Sequence, residues 1–293
     1  MPRALVATGM ELEYDTFGSP DDPTLLLVMG FTAQMIQWDE RFCGQLADTG
    51  LHVVRFDNRD CGLSTKLDGV VVDTGAVMAA ALGGGDVPEV PYTLSDMAAD
   101  GIGLLDHLGV ERAHVMGASM GGMIVQTMAI EHPTRVRSVI SVMSTTGDPS
   151  VGQAAPEVLG VLLSPAATTR EEYIETSPKW MVWHSKKHRS AERTKELAAV
   201  AWDRSNYAEG GPRQMAAIFA SGDRTERLRQ LDVPALVIHG RDDTLITPSG
   251  GLATADAIPG AHLLYLADMG HDIPEPLWPI VVDAVAAHTR VAV

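Results

Sequence analysis

The sequence predicts an α/β protein, with a mostly parallel central sheet, helices on both faces and an inserted helical cap. Three observations carry this expectation. Short apolar runs alternate with segments of helical periodicity from residue 25 to residue 143, and again from residue 234 onward. Strands that read as unbroken apolar runs are covered on both faces, and strand–helix alternation is the pattern of parallel strands joined by crossover helices. Residues 145–225 interrupt the alternation. They read as several helices with polar loops and hold three of the five tryptophans, Trp180, Trp183 and Trp202. The expected organisation is a core of residues 1–144 and 226–293, with residues 145–225 as a cap subdomain over the carboxyl ends of the strands.

Taken in order, LLLVM (25–29) is a buried strand, and residues 38–49 have apolar positions at helical spacing. HVVRF (52–56) is the next strand. The stretch 66–91, with Gly83-Gly84-Gly85 and two prolines, reads as a flexible excursion rather than a regular element. Residues 93–108 form a helix that Thr93 can cap, with Asp96 three positions on and an apolar face of Met97, Ile102, Leu104, Leu105 and Leu108. AHVMG is a strand, MGGMIVQTMAIEHP a helix stopped by Pro133, and RSVISVM another strand. PALVIHG (234–240) and HLLYL (262–266) complete the set. No internal repeat is visible.

Composition narrows the function classes. With 22 basic against 38 acidic residues the formal net charge is −16, which repels phosphate backbones and anionic lipid, so neither nucleic acid nor a membrane surface is an expected partner. Two cysteines, Cys43 and Cys61, cannot build a disulfide framework, and the N-terminal stretch lacks the pattern of a signal peptide. A cytoplasmic protein with reduced thiols is the expectation. The longest run without formal charge, residues 113–130, is broken by glycines, His114 and Gln126 and does not read as a membrane span. Monomer and dimer both stay open.

The chemistry-bearing stretch is Gly117-Ala118-Ser119-Met120-Gly121. Placed between a strand and a helix, it forces Ser119 into a strained turn with its side chain above the sheet, and the flanking glycines allow strand and helix to approach. A serine hydroxyl needs a base, and the base an orienting carboxylate. Asp242 and Asp243 follow the strand ALVIHG, and His271 follows the next strand, so serine, acid and histidine all fall at one edge of the sheet.

These stretches, LLLVMG, RFDNRDCGLST, VMGASMGG, VIHGRDDTLITP and ADMGHDIP, resemble the alpha/beta-hydrolase superfamily over nearly the whole chain. The resemblance implies the alpha/beta-hydrolase fold and a catalytic triad of Ser119, His271 and an acid. That acid is the fourth residue of the Gly240-Arg241-Asp242-Asp243 turn, which favours Asp243 over Asp242. The resemblance also implies an oxyanion hole from the backbone N–H groups of Met120 and Phe31, although Met29 stands where the family often has histidine. More narrowly, the chain is similar to the aclacinomycin methylesterase-like esterases. The implied activity is that of a carboxylesterase-type serine hydrolase acting on a small or medium hydrophobic ester, with no cofactor and no metal. Perhydrolase, lactonase, thioesterase and C–C hydrolase chemistry stay open within the superfamily, as does a ligand-binding protein with little turnover.

Other features have plainer readings. Trp180, Trp183 and Trp202 could contact substrate or form the cap's own small core. His184 and His188 have the i, i+4 spacing of metal ligands, but Lys186, Lys187 and Arg189 beside them point to a solvated cap face. Asp57 and Asp60 should hold their turn by hydrogen bonds to backbone. Cys61 should be a small buried or half-buried thiol.

Overall fold

Eight strands form one sheet in a computed structural model that describes residues 2–162 and 164–291. Met1, Leu163, Ala292 and Val293, which belong to the ranges expected for core and cap, lie outside the described residues. The strands are β1 (Arg3–Leu5), β2 (Glu11–Phe17), β3 (Thr24–Val28), β4 (His52–Phe56), β5 (Ala113–Ala118), β6 (Val136–Val142), β7 (Ala235–Gly240) and β8 (His262–Leu266). Their order is β1-β2-β4-β3-β5-β6-β7-β8. β1 and β2 pair antiparallel, as do β2 and β4, and every pairing from β4 to β8 is parallel.

The two-residue period of a strand divides the core. Leu25 and Leu27 of β3 face one layer, with Phe42 and Leu46 of α1 (Glu40–Ala47) and Val281 and Val285 of α11 (Trp278–Val291). Leu26 and Val28 face the other, with Leu104 of α3 (Leu94–His107), Ile124 of α4 (Met120–Glu131) and Ala257 of α10 (Pro248–Ala257). Helices thus cover both faces, as expected for parallel strands whose residues are almost all buried. The start of α3 is fixed as expected: Thr93 N donates to Asp96 Oδ2 at 2.7 Å.

Between β6 and β7 run α5 (Pro156–Leu162), α6 (Arg170–Thr176), a 3₁₀ turn Ser177–Val182, α7 (Ala191–Arg204), α8 (Gly210–Ser221) and α9 (Thr225–Leu228). One expectation needs correction here. Residues 66–91 contain a helix, α2 (Thr74–Gly83), whose first turn is capped by Asp73 accepting from Ala76 N at 2.9 Å. Gly84 closes it in the left-handed conformation at φ 70°. The alanines of TGAVMAAALG favour helix, and the glycine triplet is the stop signal rather than a sign of irregular chain. α2 packs on α8. No helix among the described residues is long and apolar enough to cross a membrane.

Candidate active site

Ser119 is the single residue between β5 and α4, at φ 58° and ψ −121°. Strain of this kind costs about 1–3 kcal/mol and persists only where the surroundings enforce it. They do so with hydrogen bonds to the Ser119 backbone: its N donates to Val142 O (2.9 Å), while its O accepts from Gly122 N (2.9 Å), Met123 N (3.3 Å) and Ser144 Oγ (2.8 Å). The glycines are obligatory. A Cβ on Gly117 would lie 2.0 Å from Gly121 O, and one on Gly121 would lie 2.1 Å from Val28 O. Among the described residues four that are not glycine have positive φ, namely Thr32, Asp60, Ser119 and Met143. Each falls in the turn that follows β3, β4, β5 or β6 in that order, so the strain is concentrated along the carboxyl edge of the sheet.

The turns after β7 and β8 bring an acid to a histidine. Asp243 Oδ1 accepts from Leu245 N and Ile246 N, both at 2.9 Å, and its Oδ2 meets His271 Nδ1 at 2.7 Å. Asp242 instead faces Lys186 at 3.7 Å. With Nδ1 engaged by a carboxylate, Nε2 is the ring atom available as acceptor. His239, on β7, lies behind the pair, with Nε2 2.9 Å from Ile246 O and 3.6 Å from Asp243 Oδ2; burial pulls its pKa down. Among the described residues Ser119 Oγ makes no hydrogen bond, and neither does His271 Nε2. In unliganded sites such bonds are often long and tighten only with substrate.

The loop after β3 crosses the serine. A Cβ on Gly30 would sit 3.0 Å from Ser119 Cβ and 3.6 Å from Oγ. Met120 N, at the first position of α4, has no carbonyl one turn back, and Phe31 N donates to no acceptor among the described residues.

The inserted segment is stitched to this edge. His271 N donates to Trp183 O (2.6 Å), Ser185 N to Asp272 Oδ1 (2.7 Å), Ser185 Oγ to Asp268 O (2.7 Å) and Thr244 Oγ1 to Val182 O (3.0 Å). Of the three tryptophans, Trp180 and Trp202 flank Tyr173, each with ring centroids 5.2 Å apart, as an aromatic cluster of the insert itself. Trp183 is half-buried beside the His271 turn. The solvated face expected for His184 is corrected. It is half-buried, and burial, with His271 as the next cause, pulls its imidazole down to about 4. Its backbone backs directly onto Gly270, and Arg189 adds a smaller push in the same direction.

The DNRD turn behaves as expected toward backbone and does more besides. Asp57 accepts from Met35 N (2.7 Å) and Leu63 N (2.8 Å), and Asp60 accepts from Leu67 N (2.8 Å). The same two carboxylates pair with Arg204 (2.7 Å) and Arg213 (2.8 Å) of α7 and α8. Arg59 turns the other way, to a buried pair with Asp100 of α3 at 2.6 Å. Both thiols are buried, and burial pushes Cys43 up to about 12 and Cys61 up as well, which suits neither for nucleophilic work.

A model of the alpha/beta hydrolase fold matches residues 23–275. The chain belongs to the alpha/beta-hydrolase family. In keeping with the methylesterase resemblance of its motifs, this alpha/beta hydrolase is 26% identical over 317 residues to rhodomycin D methylesterase DauP of Streptomyces sp. (strain C5), covering 99% of this chain and 98% of that one. It is 25% identical over 256 residues to 3-oxoadipate enol-lactonase 2 of Acinetobacter baylyi, covering 84% and 81% of the two chains. Among solved structures, the enol-lactonase from Burkholderia xenovorans LB400 superposes with a TM-score of 0.74 at 25% identity, over 99% of this chain and all of the other.

Ser185, Gln214 and His239 were not singled out by sequence. Gln214 and Ser185 act on partners 182 and 87 residues away, so no local pattern announces them.

Proposed function

We propose that the protein is a serine carboxylic ester hydrolase, with Ser119 as nucleophile, His271 as base and Asp243 as the residue that holds the imidazole. The observation that carries this reading is the Asp243–His271 bond of 2.7 Å on turns of the same sheet edge as the strained Ser119. Ser119 Oγ attacks the ester carbonyl while His271 Nε2 takes its proton. The N–H groups of Phe31 and Met120 receive the developing oxyanion, worth about 10²–10³-fold per donor in such sites. The imidazolium, stabilised by Asp243, then protonates the departing alcohol, and water repeats the sequence on the acyl-enzyme. The cycle consumes ester and water and calls for no cofactor.

We take residues 145–225 as the cap. Apolar residues around the serine (Phe31, Met120, Met143) and Trp183 beside the His271 turn suit an uncharged hydrophobic ester, since a charged one would lose hydration without a partner. Trp180 and Trp202 support that wall through the Tyr173 cluster. The likeness to a rhodomycin D methylesterase favours a methyl ester, with bulky aromatic methyl esters the first to try, and the likeness to enol-lactonases makes a lactone the second. The test is Ser119→Ala, assayed with nitrophenyl esters, aromatic methyl esters and lactones, alongside fluorophosphonate labelling. Loss of labelling and a fall of about 10⁴-fold or more in kcat are expected. A folded variant keeping a tenth of the rate would remove Ser119 from the reaction.

A further inference from the structure

We propose that Gln214, a fully buried residue of the inserted helix α8, is the positioning residue that sets the oxyanion loop. The inference rests on the reading that Phe31 N–H is an oxyanion donor. The loop Gly30–Ala33 is a tight turn closed by Ala33 N donating to Gly30 O at 3.2 Å, with Phe31 and Thr32 as its central residues. Thr32 has φ 55°. A turn with positive φ at its third position wants glycine or asparagine, and a β-branched residue there is an outlier. Something must therefore hold the peptide between Phe31 and Thr32 in its flipped orientation.

Gln214 is placed to do so. Its Oε1 accepts from Thr32 N at 2.8 Å, and its Nε2 donates to Arg59 O at 2.9 Å, so the amide is spent in a single orientation. Gln214 has no exposed surface, and water cannot replace it without a cavity. On the far side, Cys61 Sγ donates to Thr32 O at 3.3 Å, a weak bond from a weak donor. The same helix supports the loop by shape: Gly211 faces the Phe31 ring and the Thr32 methyl, where a Cβ would lie 3.7 and 3.4 Å away. With the acceptor gone, the Phe31–Thr32 peptide is free to turn over into the unstrained form. The neighbouring Phe31 N–H, carried on the same turn as Gly30 beside Ser119, then loses the orientation the oxyanion role requires.

Gln214→Met keeps length and apolar volume while removing the acceptor; Gln214→Glu keeps an acceptor for Thr32 N while setting a second oxygen against Arg59 O. Kinetics are normalised to active sites counted with fluorophosphonate. In Gln214→Met, kcat per site should fall about 10- to 100-fold with KM within about twofold, the signature of a loss felt only in the transition state. Inhibition by an alkylboronic acid, whose adduct places an oxygen in the oxyanion position, should weaken in parallel. Gln214→Glu should be the less stable of the two yet the more active per site. A role in packing alone predicts the same order for stability and activity. Adding Thr32→Gly to Gln214→Met should recover at least several-fold of kcat, because glycine tolerates the turn without an external hold. Wild-type kcat per site in Gln214→Met, unchanged boronate affinity, or no rescue by Thr32→Gly overturns the proposal. If Gln214→Met does not fold, the double variant decides: it should fold, and its failure to do so counts against strain at Thr32 as the point of action. Ser119→Ala run in parallel separates the two readings. Its retention of activity ends the esterase reading, whereas its inactivity beside a fully active Gln214→Met ends only this inference.

Discussion

Replacing Asp272 by asparagine should stabilise the protein at alkaline pH and do little at acid pH. Asp272 is mostly buried behind the His271 turn, and burial raises its carboxyl from 3.8 to about 6 against the opposing pull of the Ser185 and Gly270 N–H groups and of His271, with Asp243 adding to the rise. A folded-state pKa above the unfolded one means the native protein binds the proton more tightly than the unfolded chain. Stability from this group is therefore full below pH 3.8 and is lost as pH climbs to about 6. Two units correspond to about 3 kcal/mol, an upper figure because the N–H partners remain. Asparagine keeps a carbonyl oxygen for Ser185 N, bonded now at 2.7 Å, and removes the charge. At pH 8 the variant should gain about 1–3 kcal/mol, or about 2–8 °C in Tm for a chain of this size. The gain should vanish near pH 4. Urea and thermal melts of both proteins from pH 4 to 8 give the answer. A gain independent of pH, or a loss at pH 8, would refute the buried-charge argument.

Other expectations follow from the geometry. Asp243→Asn should lower kcat by about 10³–10⁴-fold, because the imidazole loses its orienting carboxylate, whereas Asp242→Asn, removing only a pair with an exposed lysine, should change it by less than about fivefold. Steady-state kinetics of the two side by side check this. Gly121→Ala should yield little folded protein, since its Cβ would collide with Val28 O, while Gly44→Ala, in α1 with open space around it, should add about 0.5–1 kcal/mol in a denaturant titration. Trp183→Ala should shift the ratio of kcat/KM between short and bulky esters more than it shifts Tm, and Trp202→Ala, which breaks the Tyr173 cluster, should do the reverse.

The parts of this molecule that were legible beforehand are those with a local cause. β4 and β8 coincide with HVVRF and HLLYL because continuous apolar runs have few alternatives, and the Thr93–Asp96 pairing marks the start of α3 through contacts three residues apart. The glycines of the serine turn were legible because two backbones cannot meet over a Cβ. β1 and β2 escaped notice. ELEYDTF alternates with period two, but three of its seven residues are acidic, and the buried one, Glu13, is accommodated by a pair with Arg3 of β1 that no local pattern announces. α2 was obscured by its own stop signal. Ser185 and Gln214 lie in helical or polar stretches that look ordinary, and their meaning comes only from carbonyls and N–H groups distant in the chain.

The attachment of the inserted segment has a consequence for engineering. Residues 182–185 grip the acid and histidine turns, and Gln214 grips the turn after β3, so the insert is not a removable cover over a finished machine. Exchanging it for the corresponding segment of another alpha/beta hydrolase, in the hope of changing substrate while keeping rate, would take away scaffolding from both sides of the candidate site. A graft that carries over a buried amide at the place of Gln214, together with the Trp183-His184-Ser185 strap, should keep turnover. One chosen for its pocket alone should bind its new ester and leave it intact.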